Sequence, residues 1–112
     1  MSKFQEALDT YTAEFGKLGV KVDADLLKKV TKGCGPAIYN KDASKVSSSD
    51  QAELDRVKNN FLIKKLGMTD GPKLDAAIAK VVEKFGASNR NKYRAMFYYM
   101  LVVELKQEGF YA

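Results

Sequence analysis

The sequence has 112 residues, of which 46% are hydrophobic and 29% charged, and its formal net charge is +5. A chain of this length buries roughly two thirds of its unfolded surface, so we predict one domain over residues 1–112. Because Cys34 is the single cysteine and histidine is absent, an internal disulfide and a structural zinc site are both excluded.

The first part of the chain carries the signals of two amphipathic helices. Ser2 followed by Gln5 is typical of a capping box that opens a helix. The apolar residues after it fall on one helical stripe, which ends near residues 16–19: Phe4, Leu8, Tyr11, Phe15 and Leu18. A second helix is predicted to begin after Asp23 and to end at Gly33.

A long connection follows, over residues 33–49, where the helical pattern is interrupted by glycines and serines. Pro36 favours one short helical turn, because its fixed φ suits the first position of a helix. We expect Ile38 and Tyr39 to pack against the core from this turn. The connection is therefore predicted to be an ordered loop rather than a linker.

Two more helices are predicted in the second half. Asp50 and Glu53 form a capping box for a helix that ends at Gly67. Pro72 then stands where the first position of the next helix is expected, and Gly86 marks the end of that helix.

The last predicted helix begins at Ser88 and runs to about Gln107. Its middle, residues 96–103, is apolar on nearly every side, which is typical of a central helix that others surround. No alternating apolar pattern or hairpin dipeptide indicates a strand. The sequence therefore predicts an all-α fold, a compact single domain of about five helices packed around the apolar C-terminal helix.

The sequence shows no pattern typical of export or membrane insertion. The longest apolar run, residues 95–103, has nine residues, about half the length that a membrane span needs. The N-terminal residues lack the apolar run of a secretory signal, and Glu6 stands among them. We therefore expect a soluble, cytoplasmic protein without membrane contact.

Four segments resemble a known protein family: residues 30–40 (VTKGCGPAIYN), 57–62 (VKNNFL), 66–72 (LGMTDGP) and 88–95 (SNRNKYRA). Along its whole length the chain resembles a bacterial family of small helical proteins called domain of unknown function 2853. The resemblance implies a bacterial, intracellular, helical protein. It implies no activity and no catalytic residue.

The residues themselves indicate no catalytic centre. Cys34 has no histidine to act as its base, so an inert thiol is expected. The run Gly33-Cys34-Gly35-Pro36 has glycines like a phosphate-binding loop, but it lacks the lysine and the hydroxyl residue of that motif. We therefore predict a protein that is not an enzyme and that needs neither cofactor nor metal.

A basic segment at the predicted start of the last helix is the main functional candidate. Positive side chains at a helix N-terminus oppose the helix dipole at a cost of about 0.3–1 kcal/mol each. A bound anion would remove this cost and would meet free backbone N–H groups there. The segment therefore predicts an anion-binding site made of Ser88, Asn89, Arg90, Lys92 and Arg94.

The anion has more than one possible source. It is either an internal carboxylate, such as Glu53 or Asp55, or an external acidic protein or phosphate-bearing ligand. The leading hypothesis for function is a non-enzymatic binding or interaction module that recognises such a ligand.

The alternative is a nucleic-acid-binding protein that uses the same basic residues together with Lys58, Lys64 and Lys65. Residues 82–94 resemble a helix-turn-helix in their glycine turn and basic second helix. The apolar character of that helix from Ala95 onward argues against the motif, since a recognition helix keeps one face polar.

Overall fold

The computed structural model describes residues 3–40, 43–86, 89 and 91–111. Within these ranges the chain forms five α-helices: Lys3–Leu18 (α1), Ala24–Cys34 (α2), Gln51–Arg56 (α3), Pro72–Phe85 (α4) and Arg94–Glu104 (α5). A π-helix, Val57–Lys65, continues α3, and 3-10 turns cover Gly35–Tyr39 and Glu108–Tyr111. The described ranges contain no strand, so the all-α prediction is confirmed. The radius of gyration, 13.0 Å, is that of a single domain of this size.

Helices α2 and α3 have the predicted caps at Asp23 and Asp50. Glu53 does not complete the predicted capping box, because the N–H of Asp50 donates to the carbonyl of Ser47 and the Glu53 carboxylate binds arginines instead. The Asp23 carboxylate accepts hydrogen bonds from the backbone N–H groups of Asp25 at 3.1 Å and Leu26 at 3.2 Å. The Asp50 carboxylate accepts from the N–H of Ala52 at 3.0 Å. Both caps satisfy backbone donors that a helix start leaves without partners. The predicted cap of α1, Ser2, lies outside the described residues.

Helix α5 forms the centre of the core, and it packs against α1, α2 and α4. Seven of its residues are buried: Ala95, Met96, Phe97, Tyr99, Met100, Leu101 and Val102. Burying each large apolar side chain stabilises the fold by about 1.5–3 kcal/mol. The apolar run that indicated a central helix therefore supplies much of the core.

The predicted helix from residue 50 to 66 is not a single α-helix, because it becomes a π-helix after Arg56. Val57 and Leu62, which are five positions apart, are both buried in this segment. A helix closed by hydrogen bonds between residues five apart brings such pairs onto one side. Accordingly, the N–H of Leu66 donates to the carbonyl of Phe61 at 2.9 Å.

The connection after α2 contains the predicted turn at Pro36. Ile38 is buried as expected, but Tyr39 is 50% exposed, so the prediction for Tyr39 was wrong. A 3-10 turn has three residues per turn, and neighbouring side chains therefore point about 120° apart. Only one of these two adjacent residues can face the core.

The last helix begins at Arg94 and not at Ser88. Residues 91–93 are held extended instead, by backbone hydrogen bonds to the long connection. The N–H of Val46 donates to the carbonyl of Lys92 at 2.7 Å, and the N–H of Arg94 donates to the carbonyl of Ser44 at 2.6 Å. These bonds use backbone groups that would otherwise enter helical bonds, which delays the helix until Arg94.

Candidate functional site

The residues predicted to bind an anion do not share one helix N-terminus. Arg94 is the first residue of α5, whereas Lys92 lies in the extended segment before it. The predicted conflict between Lys92 and a helix dipole is therefore absent. Ser88 and Arg90, which belong to the same predicted site, lie outside the described residues.

Lys92 faces the protein interior, where only 2% of the residue is exposed. Its ammonium group donates to the backbone carbonyl of Asn89. Burial lowers the pKa of Lys92, because the charged form loses its hydration. Asn89 is itself tied to the fold, since its amide donates to the carbonyl of Phe85 at 3.2 Å.

Arg94 is held by three groups of the protein. Its Nε donates to the carbonyl of Ala43 at 2.6 Å, and its Nη1 donates to the Tyr98 hydroxyl at 3.0 Å. Its Nη2 lies 2.6 Å from Oε1 of Glu53. The interpretation that an internal carboxylate holds these arginines is thus confirmed for Arg94, with Glu53 as the acid.

Glu53 also binds a second arginine, Arg56, which was not among the residues predicted for the site. Its Oε2 accepts from Nε of Arg56 at 3.1 Å and from Nη2 at 2.7 Å. The two residues are three apart on one helix, a spacing that favours ion pairs and that offered a signal in the sequence. The Arg56 side chain is 59% exposed, whereas that of Arg94 is 17% exposed.

The two guanidinium groups control the charge state of Glu53. Burial raises the pKa of this carboxyl group, but the hydrogen bonds and charges of Arg56 and Arg94 outweigh burial. The pKa of Glu53 is therefore held below its usual value, and the group is ionised at neutral pH. The ionised Glu53 carboxylate therefore holds the guanidinium groups of Arg56 and Arg94 in fixed orientations.

These residues border an open cleft of about 430 Å³, which we call the Glu53 cleft. Its charged lining residues are Lys45, Asp50, Glu53, Arg56 and Arg94. Among the described residues of this lining, three cations and two carboxylates leave one positive charge in excess. The Lys45 ammonium lies 5.3 Å from the centre of the Tyr93 ring, a distance that permits a cation–π contact.

A family model described as a protein of unknown function (DUF2853) matches residues 10–109. The chain belongs to this family. The match confirms the resemblance found in the sequence, and none of the curated proteins matches the chain. No helix among the described residues is long and apolar enough to cross a membrane.

Two of the lysines considered for nucleic-acid binding in this DUF2853 member bind groups of the protein. Lys58 pairs with Asp70 at 3.1 Å and with Asp75 at 3.3 Å, which joins the π-helix to the start of α4. Lys65 donates to the carbonyl of Gly33 at 3.0 Å, near the C-terminal end of α2. Both contacts have a structural role in the fold.

The thiol of Cys34 is poorly suited to nucleophilic chemistry. Burial raises its pKa to about 11, against the opposing charges of Lys65 and Arg94. The thiolate, which is the reactive form, is scarce at neutral pH for such a group. The described part of the chain contains no cluster of three or more His, Cys, Asp or Glu side chains placed to hold a metal ion.

Proposed function

We propose that this DUF2853 member is a non-enzymatic binding module that recognises an anionic group in the Glu53 cleft. The anion belongs to a phosphate-bearing ligand or to an acidic protein. The observation that carries the proposal is the exposed guanidinium of Arg56, which Glu53 holds in place beside Arg94 at a cleft with excess positive charge.

Arg56 has donors available for a ligand. Glu53 takes hydrogen bonds from Nε and Nη2, and Nη1 has no protein partner among the described residues. Carboxylate and phosphate oxygens both match the planar donor edge of a guanidinium. Because Glu53 already orders the Arg56 side chain, binding a ligand costs less conformational entropy than it would for a free arginine.

Arg94 and Lys45 have different parts in this proposal. Arg94 is a positioning residue, since its contacts with Ala43 and Glu53 fix the wall of the cleft. Lys45 is exposed and adds positive charge at the rim. A cleft of about 430 Å³ has room for a phosphate-bearing small molecule or for an acidic side chain of a partner protein.

The protonation of the site supports binding rather than catalysis. A general acid or base works best with a pKa near the working pH. The low pKa of Glu53 leaves this carboxylate without a proton to donate at neutral pH, and both of its oxygens accept hydrogen bonds from arginine. These properties suit a structural carboxylate whose role is to hold the guanidinium groups of Arg56 and Arg94 in place.

Titration with inorganic phosphate, followed by the NMR signals of the arginine Nε–H groups, tests the proposal. We expect a saturable shift of the Arg56 signal in the parent protein. The Arg56→Gln variant should lose phosphate binding, and Lys29→Gln, which changes an exposed lysine of α2, should keep it. The absence of saturable binding to both phosphate and a glutamate-rich peptide would contradict the proposal.

Duplex DNA serves as a third ligand in the same series. Tight binding that weakens steeply with salt and persists in Arg56→Gln would favour the nucleic-acid alternative.

We also infer a bacterial, cytoplasmic setting from the sequence resemblance and from the single thiol, which suits a reducing compartment. Cell fractionation tests this inference. Recovery of the protein in the cytosolic fraction is expected, and recovery in the periplasm or the membrane would contradict it.

A further inference from the structure

An apolar groove lies between α4, α5 and the connection from α1 to α2, and it encloses about 620 Å³. Tyr99, Met100 and Val103 of α5 contribute to its lining, together with Val20 and Val81. We call it the α5 groove. Its volume falls within the range of about 300–1,000 Å³ that is typical of small-molecule sites. It shares no lining residue with the Glu53 cleft.

The floor of the α5 groove is anchored to the core by Tyr99 and is partly exposed at Val103. Val103 is 43% exposed although its neighbour Val102 is completely buried. The Tyr99 hydroxyl accepts a hydrogen bond from the N–H of Asp23 at 2.8 Å, and the Tyr99 ring packs against Phe15 with 5.2 Å between ring centres. A ligand would therefore meet a preformed surface, which reduces the cost of binding.

The described residues that line the α5 groove itself leave one positive charge in excess. Lys21, Lys80 and Lys84 stand against Glu83 and Glu104. Lys80 pairs with Glu104 at 3.9 Å, whereas Lys21 and Lys84 have no carboxylate partner among the described residues. Lys80 and Lys84 are four apart on α4, so their like charges repel each other.

From the apolar floor and this charge balance we infer that the α5 groove binds an amphipathic monoanion. Such a ligand has an aliphatic or aromatic body and one carboxylate or sulfonate group. Its body covers Val103, which is 43% exposed, and this removes apolar surface from water. Its acidic group balances the excess charge by approaching Lys84, whose ammonium accepts anions from many directions.

A second cavity of about 430 Å³ extends the α5 groove past Val103 and orients the ligand. Its lining includes the apolar side chain of Leu26, the carboxylates of Asp23 and Glu108, and Lys21, which also lines the α5 groove. Among the described residues, two carboxylates against one lysine leave this end with one negative charge in excess. Because like charges repel, the acidic group of the ligand avoids this end. The tail therefore points toward Leu26 and the acidic group toward Lys84.

Calorimetric titration of the full chain with decanoate, below its micelle concentration, tests the inference. We expect saturable binding with one decanoate per chain, and weaker binding of decanol and decylamine. The Lys84→Gln variant should bind decanoate roughly threefold more weakly, as expected for a partly exposed charge pair, and should bind decanol like the parent. Val103→Asp should abolish binding. Lys73→Gln, an exposed change on the same helix outside both cavities, should have no effect.

Three results would overturn the inference: no saturable binding of decanoate, equal binding of decanol, or an equal effect of Lys73→Gln and Lys84→Gln. A fourth result that would overturn the inference comes from sedimentation equilibrium. A dimer that Val103→Asp dissociates and that decanoate does not disturb would assign the α5 groove to a second copy of the chain. Binding of phosphate at the Glu53 cleft is measured separately, so either site can fail without the other.

Discussion

Arg94 and Glu53 form a short ion pair, 2.6 Å between Nη2 and Oε1, that joins the start of α5 to α3. The side chains are 17% and 11% exposed, respectively. Since the same guanidinium binds the carbonyl of Ala43, the pair also holds the long connection against the core. It lies where the chain changes from the extended segment to the central helix.

Removing the charge of Glu53 should destabilise the fold strongly. The Glu53→Gln variant leaves Arg94 partly buried without its counterion, and breaking a buried pair in this way costs about 3–5 kcal/mol. Urea unfolding at neutral pH measures the loss. Glu83→Gln, which changes an exposed glutamate of α4, is the control and should stay within about 0.5 kcal/mol of the parent. Similar unfolding midpoints for the two variants would show that the ion pair contributes nothing.

Acidification should remove the contribution of Glu53. Its pKa is lowered in the folded state, and its unfolded value is about 4.3. The stabilisation is therefore fully present above about pH 5 and is lost as the pH falls through the folded pKa. The difference in unfolding free energy between the parent and Glu53→Gln should shrink between about pH 5 and pH 3. A difference that stays constant over this interval would contradict the lowered pKa.

Truncation of the central helix should cost more than truncation at its surface. Phe97 and Leu101 are completely buried, so Phe97→Ala and Leu101→Ala should each destabilise the protein by about 2–5 kcal/mol. Val103→Ala, on the exposed side of the same helix, should cost much less. Chemical denaturation compares the three variants. A loss for Val103→Ala as large as that for Leu101→Ala would place the core elsewhere.

The Cys34 thiol should react slowly in the native protein. With a pKa of about 11, its thiolate fraction at pH 8 is roughly two hundred times smaller than that of an unfolded cysteine. Labelling with a disulfide reagent should accordingly be at least that much slower in buffer than in concentrated urea. Equal rates under both conditions would show that Cys34 is neither buried nor deactivated.

Local signals in the sequence predicted most helix positions. The caps at Asp23 and Asp50, and the stripes that follow them, act within a few residues and need no tertiary contact. The start of α5 could not be found in this way, because the hydrogen bonds from residues 44–46 to 92–94 decide it. No local pattern identifies a partner so far along the chain.

The candidate site was predictable only in part. The basic segment predicted that Arg94 binds an anionic group, and Glu53 was one of the internal carboxylates proposed as the partner of Arg94. The role of Arg56 was missed, although its spacing from Glu53 was visible, because spacing alone does not show that two arginines share one carboxylate. The α5 groove was also beyond prediction, since three separate segments form it.

Thermal unfolding of the parent and of Arg56→Gln, each with and without inorganic phosphate at constant ionic strength, tests most directly whether the Glu53 cleft binds an anion. Phosphate stabilises many proteins through exclusion from their surface. The effect of binding at Arg56 is therefore the difference between the two proteins in the rise in Tm that phosphate causes. A ligand that binds only the folded state at a hundred times its Kd adds about 2.7 kcal/mol of stability. We expect phosphate to raise the Tm of the parent and of the Lys29→Gln control clearly more than that of Arg56→Gln. Equal increases in all three proteins, or no increase in the parent, would contradict an anion site at Arg56.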